Sequence, residues 1–156
     1  MSKLTVVAEP GKQETILTRT FDAPRELVFK AFTDPELLGR WWGLRNTTSI
    51  IDQIEVRPGG HWRFIERDGE GNEYAFRGVY HDVVAPERIV QTFEFEGMPG
   101  HVLLETTIFE DVGGKTKMVS QSVFQSVEDR DGMVASGMEY GAEEGYQQLD
   151  ELLATL

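Results

Sequence analysis

The chain has 156 residues, of which 40% are hydrophobic, 10% are aromatic and none is cysteine. This length and apolar content predict one compact domain, and the lack of cysteine excludes disulfides, thiolate nucleophiles and Cys-ligated metal sites. The formal net charge of -12 argues against nucleic acid or a membrane surface as a partner, because such binding depends on Lys and Arg neutralising phosphates.

The N-terminal region contains only a short apolar stretch, below the roughly 7 to 15 residues of a signal-peptide core. No apolar run approaches the roughly 20 residues that a membrane-spanning helix needs. We therefore expect a cytoplasmic protein. Residues 1–13 are predicted to form an N-terminal extension, and a single domain is predicted to span residues 14–156.

The domain is predicted to begin with a strand followed by two short helices. Residues 14–21 alternate and are rich in β-branched side chains, which is typical of a strand. Pro24, two residues after Asp22, and Pro35, directly after Asp34, each precede apolar residues at helical spacing, which predicts two helix starts. Gly43 is expected to end the second helix.

From residue 49 to residue 124 the pattern changes to short alternating stretches separated by turn residues, which predicts six antiparallel strands. After Glu128, apolar residues and glycines repeat at spacings of three and four, which predicts one long amphipathic helix. The expected fold is therefore α+β, with the helix and a seven-stranded antiparallel sheet burying each other's apolar faces.

The turns between strands allow residues on one face of the sheet to be estimated. They place a polar row, Tyr80, Gln91, Thr106 and Gln121, on the apolar face. A buried polar group without a partner costs about 1 to 3 kcal/mol, so this row either pairs with itself or orients a ligand in a cavity. The same face is predicted to carry Trp62, Phe64, Phe76, Phe93 and Leu104, with Glu94, Glu105, Ser120 and Ser122 on the solvated face.

The C-terminal helix is predicted to carry Gly137, Gly141 and Gly145 on its apolar side. Each interior glycine costs about 0.8 to 1 kcal/mol relative to alanine, so a compensating role is expected. Either the glycines admit close packing of helix on sheet, or they leave open volume between the two. Met138 and Gly141 are therefore candidate cavity residues.

Trp41 and Trp42 are adjacent at the end of the second short helix. Consecutive helical residues diverge by about 100°, so both rings cannot point into the core in the same direction. One tryptophan is predicted to be core, and the other to lie at a pocket mouth or on a partner surface.

No metal site, cofactor or catalytic residue is predicted. The three histidines, at positions 61, 81 and 101, show no metal-binding spacing, and no serine lies in a nucleophile motif. The carboxylates Glu66, Glu94 and Glu105 have outward or uncertain orientation, and a solvated carboxylate near its usual pKa is a weak general base.

Several segments in fixed order resemble one protein family: FDAPRELVFKAFTDPE at 21–36, RWWG at 40–43, RPGG at 57–60 and the Gly137-Met138-x-x-Gly141 motif. They are similar to the activator of Hsp90 ATPase homologue (AHSA1-like) branch of the START-like, Bet v 1-like superfamily. The resemblance implies a helix-grip fold, in which a curved seven-stranded antiparallel sheet wraps a long C-terminal helix and two short helices follow the first strand.

Members of that superfamily bind lipids, hormones, polyketides and other apolar molecules in the cavity between sheet and helix. The resemblance therefore implies a non-enzymatic module that binds a small hydrophobic or amphipathic molecule. Two alternatives stay open. One is a chaperone-associated protein that uses an exposed Trp41 or Trp42. The other is a cavity enzyme for proton transfer or cyclisation that uses Tyr80, His61 or an inward carboxylate.

Overall fold

The computed structural model describes residues 3–156. Eight strands and four helices follow one another along the chain: β1 (Thr5–Val7), β2 (Glu14–Phe21), α1 (Arg25–Thr33), α2 (Pro35–Trp41), β3 (Thr48–Ile54), β4 (His61–Arg67), β5 (Glu73–Val84), β6 (Arg88–Phe95), β7 (Val102–Val112), β8 (Lys115–Val123), α3 (Val127–Ala135) and α4 (Met138–Leu153). The first predicted strand, the two short helices and the six later strands are all present.

All strands form one antiparallel sheet in the order β1-β2-β8-β7-β6-β5-β4-β3. The α+β class is confirmed, but the sheet has eight strands instead of the predicted seven. The additional strand is β1, in which Thr5 lies opposite Thr18 and Val7 opposite Ile16. Its β-branched residues favour an extended chain, so part of the predicted N-terminal extension forms an edge of the sheet.

The two short helices begin where the prolines predict. Asp34 caps α2, and its side chain accepts hydrogen bonds from the backbone N–H groups of Glu36 at 2.9 Å and Leu37 at 3.3 Å. Pro35 occupies the first turn, where its missing N–H costs nothing. This cap fixes the direction in which α2 carries Trp41 toward the sheet.

The prediction of one long C-terminal helix was wrong, because the chain forms α3 and α4 with a break between them. Gly137 has a φ of 88° in the left-handed region, which glycine adopts without a steric penalty. The Ser136 hydroxyl donates to the backbone oxygen of Met133 at 2.6 Å and helps to end α3. Gly137 is therefore a hinge between two helices and not an interior helix residue.

The strand register agrees with the prediction on β5 and β6 and differs on β7. Tyr80 lies opposite Gln91 as predicted, but Gln91 lies opposite Glu105 and not Thr106. A slip of one residue reverses the faces of a strand, so every side-chain orientation predicted on β7 is inverted.

The side-chain orientations predicted on β8 are inverted as well. The register between β7 and β8 is the predicted one, with Thr106 opposite Gln121, so the error in β7 is passed on to β8. Both residues, with Leu104, therefore lie on the outer face, where Leu104 is 43% exposed. The inner face instead carries Glu105 on β7 and, on β8, Ser120 and Ser122.

The core lies between the inner face of the sheet and the helices. It is formed by apolar side chains from β2, α1, α2, β7, β8 and α4, including Phe21, Val28, Leu38, Trp41, Phe109, Met118 and Leu149. Within residues 3–156, no helix is both long and apolar enough to cross a membrane.

Candidate functional site

A cavity of about 750 Å³ lies between the inner face of the sheet and helices α2 and α4. Small-molecule pockets usually have volumes of about 300 to 1,000 Å³, so this space could hold a ligand of drug-like size. Asn46, Tyr74 and Ser136 line the cavity and are exposed, which indicates that it opens to solvent beside them. The residues around this opening come from the loop after α2, from β5 and from the junction of α3 and α4.

Most residues predicted from the sequence as cavity lining do line this space: Trp41, Trp42, Trp62, Phe64, Phe76, Tyr80, Gln91, Phe93, Met138 and Gly141. Three predicted residues do not. Leu104, Thr106 and Gln121 belong to the outer face, because the register slip between β6 and β7 inverts both β7 and β8. The predicted polar row across four strands is therefore reduced to Tyr80 and Gln91.

Aromatic rings form a continuous wall along β4, β5 and β6. The ring of Trp42 meets the edges of Phe64 and Phe76 at centroid distances of 5.2 and 5.3 Å. Phe76 also lies 5.5 Å from Phe93, and Trp62 lies 4.6 Å from Phe64. Such pairs add about 0.5 to 1.5 kcal/mol beyond their burial, so the wall is expected to be rigid.

The two adjacent tryptophans have different roles in packing. Trp41 is 4% exposed, and its indole Nε1–H donates to the backbone oxygen of Ala31 at 2.8 Å. Trp42 is half-buried against the aromatic wall. Trp41 is therefore a core residue, and Trp42 is a cavity residue that keeps part of its surface exposed.

The glycines around the cavity serve different purposes. A Cβ at Gly78 would lie 2.5 Å from Nε1 of Trp62, so the missing side chain makes room for that indole. At Gly145 a Cβ would lie 3.6 Å from the backbone oxygen of Gly43 and 3.7 Å from that of Trp41, which is ordinary van der Waals contact. At Gly141 a Cβ would meet only Leu44, at 3.8 Å, so this glycine leaves open volume. Close packing and open volume thus occur at different glycines.

Glu66 is a buried carboxylate in the cavity wall, with 6% of its surface exposed. Its Oε1 accepts a hydrogen bond from Thr47 Oγ1 at 2.6 Å, whereas Oε2 has no protein partner. Burial raises the pKa of Glu66, against the opposing effect of the Ser49 and Thr47 hydroxyls. The Ser49 hydroxyl also donates to the backbone oxygen of Trp42.

Glu105 is a second inward carboxylate, on β7. Its closest donor is the hydroxyl of Ser122, at 3.5 Å, and burial raises the pKa of Glu105. The phenol pKa values of Tyr80 and Tyr146 are also raised, first by burial and then by the negative charge of Glu105. Burial therefore disfavours the charged forms of these carboxyl and phenol groups in the cavity wall.

The orientation of both carboxylates differs from the sequence prediction, which gave it as outward or uncertain. On β4, Glu66 is in phase with Trp62 and Phe64, so strict alternation from those aromatics would have placed it inside. On β7, the prediction placed the apolar Phe109 on the solvated face together with Glu105. An apolar ring at such a position indicated that the two faces of β7 had been exchanged. Phe109 is 1% exposed and in phase with Glu105.

The histidines lie away from the cavity. His61 and His81 are exposed, and Nδ1 of His101 lies 3.0 Å from both carboxylate oxygens of Asp129 on α3. His61 is therefore not an acid or base within the cavity. Across residues 3–156, no three His, Cys, Asp or Glu side chains are grouped as a metal site would require.

A family model described as activator of Hsp90 ATPase homolog 1-like protein matches residues 22–154 of the chain. No match was found among curated proteins.

Several solved structures share the fold. A protein from Rhodobacter sphaeroides is 27% identical, with a TM-score of 0.91 and coverage of 99% of both chains. One from Arthrobacter aurescens is 25% identical, with a TM-score of 0.89 and coverage of 97% of this chain and 92% of the other. One from Staphylococcus epidermidis is 28% identical, with a TM-score of 0.82 and coverage of 97% and 94%.

Proposed function

The chain belongs to the family of activator of Hsp90 ATPase homolog 1-like proteins, and from that premise we propose that it is a non-enzymatic module that binds a small, largely apolar ligand. The ligand would occupy the cavity between the inner face of the sheet and α4. The observation that carries this proposal is the volume of about 750 Å³ bounded by a wall of aromatic rings. Apolar surface buried there would contribute roughly 25 cal/mol per Å² to binding.

Two polar groups in the wall are suited to orienting such a ligand. Tyr80 and Gln91 face each other across β5 and β6, and both line the cavity. Specific pockets combine apolar walls with a few placed polar groups of this kind. The phenol and the amide would fix the position of a polar substituent, while the aromatic rings bind the rest of the molecule.

Chemical-shift mapping by NMR with a library of small hydrophobic compounds tests this proposal. We expect hits to shift backbone amides on both sides of the cavity, in β4 to β6 and around Gly141 in α4. Shifts confined to the outer face, for example at Leu104 and Thr106, would refute it.

A cavity enzyme is the second candidate, favoured by two carboxylates in the cavity wall, Glu66 and Glu105. Burial raises the pKa of both Glu66 and Glu105, which suits a group that exchanges protons near neutral pH. The library hits would serve as test substrates, with product formation followed by NMR over time. Conversion that is lost in Glu66→Gln or Glu105→Gln supports the enzyme, whereas unchanged hits support the binding module.

A further inference from the structure

The charged side chains of the cavity wall are all acidic. Among the residues that line the cavity, Glu66, Asp68 and Glu105 are acidic, and none is Lys, Arg or His. The nearby buried cation, Arg19, is not part of the lining; its Nη2 is paired with Asp150 and Glu143 on α4, whereas its Nε and Nη1 have no hydrogen-bond partner. A ligand therefore meets carboxylates that no protein cation neutralises inside the cavity.

Three buried polar atoms of the lining lack partners in the protein. They are Oε2 of Glu66, Oγ1 of Thr15 and the donor Nε1 of Trp62, in residues that are 6%, 0% and 2% exposed. Leaving a buried polar group without a hydrogen bond is destabilising, and more so for a charged group. A ligand that brings a hydrogen-bond donor to Glu66 would remove this cost.

The surroundings of Glu66 suit a positively charged donor. Phe64 lies two residues earlier on the same face of β4, and Trp42 packs edge to face against it. Aromatic faces attract ammonium groups, most strongly when the site is desolvated. A cation would also stabilise the ionised form of Glu66, which burial otherwise disfavours.

We propose that the cavity selects a ligand whose apolar body carries a protonated amine, that the amine pairs with Glu66, and that ligands ending in a carboxylate are excluded. This inference rests on the proposed binding function and adds the chemical class of the ligand. Glu105 is a second carboxyl in the lining, so the wall offers an anionic ligand a further acidic group and no cation.

Three probes that share a naphthalene body test the proposal: 2-(1-naphthyl)ethylamine, 2-(1-naphthyl)ethanol and 1-naphthylacetate. Their dissociation constants and the amides that they shift would be measured by NMR titration at pH 7. We expect the amine to bind about 10- to 100-fold more tightly than the alcohol, as a charge-assisted hydrogen bond gives, and the acetate not to enter the cavity.

Glu66→Gln keeps the shape of the side chain and removes its charge. We expect it to reduce the affinity for the amine to about that for the alcohol, while the affinity for the alcohol stays unchanged. The matched control is Glu110→Gln on β7, which removes one charge from an exposed position outside the cavity and should leave the preference intact.

The outcomes separate this inference from the proposed function. If the alcohol binds in the cavity and the amine binds no more tightly, or if the acetate binds equally well, the inference is wrong and the binding function stands. If no probe shifts the cavity amides, both are wrong. A preference for the amine that survives Glu66→Gln refutes the role of Glu66. The probe ranking on the unmodified protein decides the ligand class even if this variant fails to fold.

Discussion

Arg19 on β2 donates a hydrogen bond from its Nη2 to Oδ2 of Asp150 on α4 at 2.7 Å, and the Arg19 side chain is completely buried. This pair joins the sheet to the helix that closes the cavity. Removing one partner of a buried pair costs about 3 to 5 kcal/mol, because the other charge is left buried. The loss should be smaller here, because the Asp150 side chain is 35% exposed and Glu143 remains 3.5 Å from Arg19 as a second partner. We therefore expect Asp150→Asn to lower the free energy of unfolding by about 1 to 3 kcal/mol.

Urea denaturation followed by circular dichroism would measure this loss. The control is Glu73→Gln, which breaks a pair with Arg67 in which both side chains are about half exposed. Surface pairs of this kind contribute about 0 to 1 kcal/mol. Equal effects of the two variants would show that the Arg19 pair does not hold α4 on the sheet.

Gly78 is predicted to be intolerant of a side chain. A Cβ there would lie 1.9 Å from the backbone oxygen of Thr92 and 2.5 Å from Nε1 of Trp62. Overpacking typically costs about 1 to 3 kcal/mol, so Gly78→Ala should destabilise the protein by at least that amount. Thermal and urea unfolding would measure it, with a change in tryptophan fluorescence expected as Trp62 shifts.

Gly132→Ala is the matched control for this substitution. Gly132 lies inside α3, and a Cβ there would meet nothing within 4 Å. Alanine should therefore stabilise the helix by roughly 0.5 to 1 kcal/mol. Similar effects of the two substitutions would contradict the close approach of Trp62 to Gly78.

The sequence was sufficient for the order of elements from β2 to β8 and for one side of the cavity, but not for β1 or for the break between α3 and α4. Proline position predicted the two short helices, and alternation predicted the inner faces of β4, β5 and β6, including Phe64 and Phe76. These signals are local, so they do not depend on how distant strands pair. Such signals account for eight of the predicted residues that line the cavity, which lie on β4 to β6 and at the end of α2: Trp41, Trp42, Trp62, Phe64, Phe76, Tyr80, Gln91 and Phe93.

The other side of the cavity depended on one turn. The length of the loop from Glu96 to His101 determines whether Gln91 pairs with Glu105 or with Thr106. The sequence does not define this length to within one residue, so it does not determine the register. A slip there inverts β7 and, through the correct pairing of Thr106 with Gln121, also β8. The carboxylate of Glu105 was therefore assigned to solvent, and with it the acidic character of the cavity was missed.

The stability of the protein should depend on pH through Glu105. Burial raises the pKa of this carboxyl in the folded state above its value of about 4.3 in the unfolded chain. The folded state therefore binds more protons between these two pKa values, and the contribution of Glu105 to stability falls as the pH rises through its folded pKa. Glu105→Gln removes this dependence because the amide does not titrate.

We accordingly expect Glu105→Gln to gain stability relative to the unmodified protein as the pH is raised from 4.5 to 7.5. Urea unfolding of both proteins across this range gives the difference between their free energies of unfolding. The contributions of other carboxylates cancel in this difference, including that of Glu94, whose pKa is lowered. A carbon-13 titration of the glutamate carboxyls reports the pKa directly. A difference that stays constant with pH would contradict the burial of Glu105.

Filling the cavity from α4 should block binding without unfolding the protein. Gly141 lines the cavity, and a Cβ at this position would meet only Cδ2 of Leu44, at 3.8 Å. Gly141→Leu therefore places an apolar side chain in open volume and replaces a poor helix former with a good one, so stability should be maintained or increased. The affinity for 2-(1-naphthyl)ethanol should fall at least about tenfold, equivalent to about 1.4 kcal/mol, when measured by NMR titration. The control is Gly132→Leu, which makes the same change on α3, outside the cavity, and should leave the affinity unchanged. Equal affinities of the two variants for this probe would show that it binds outside the cavity.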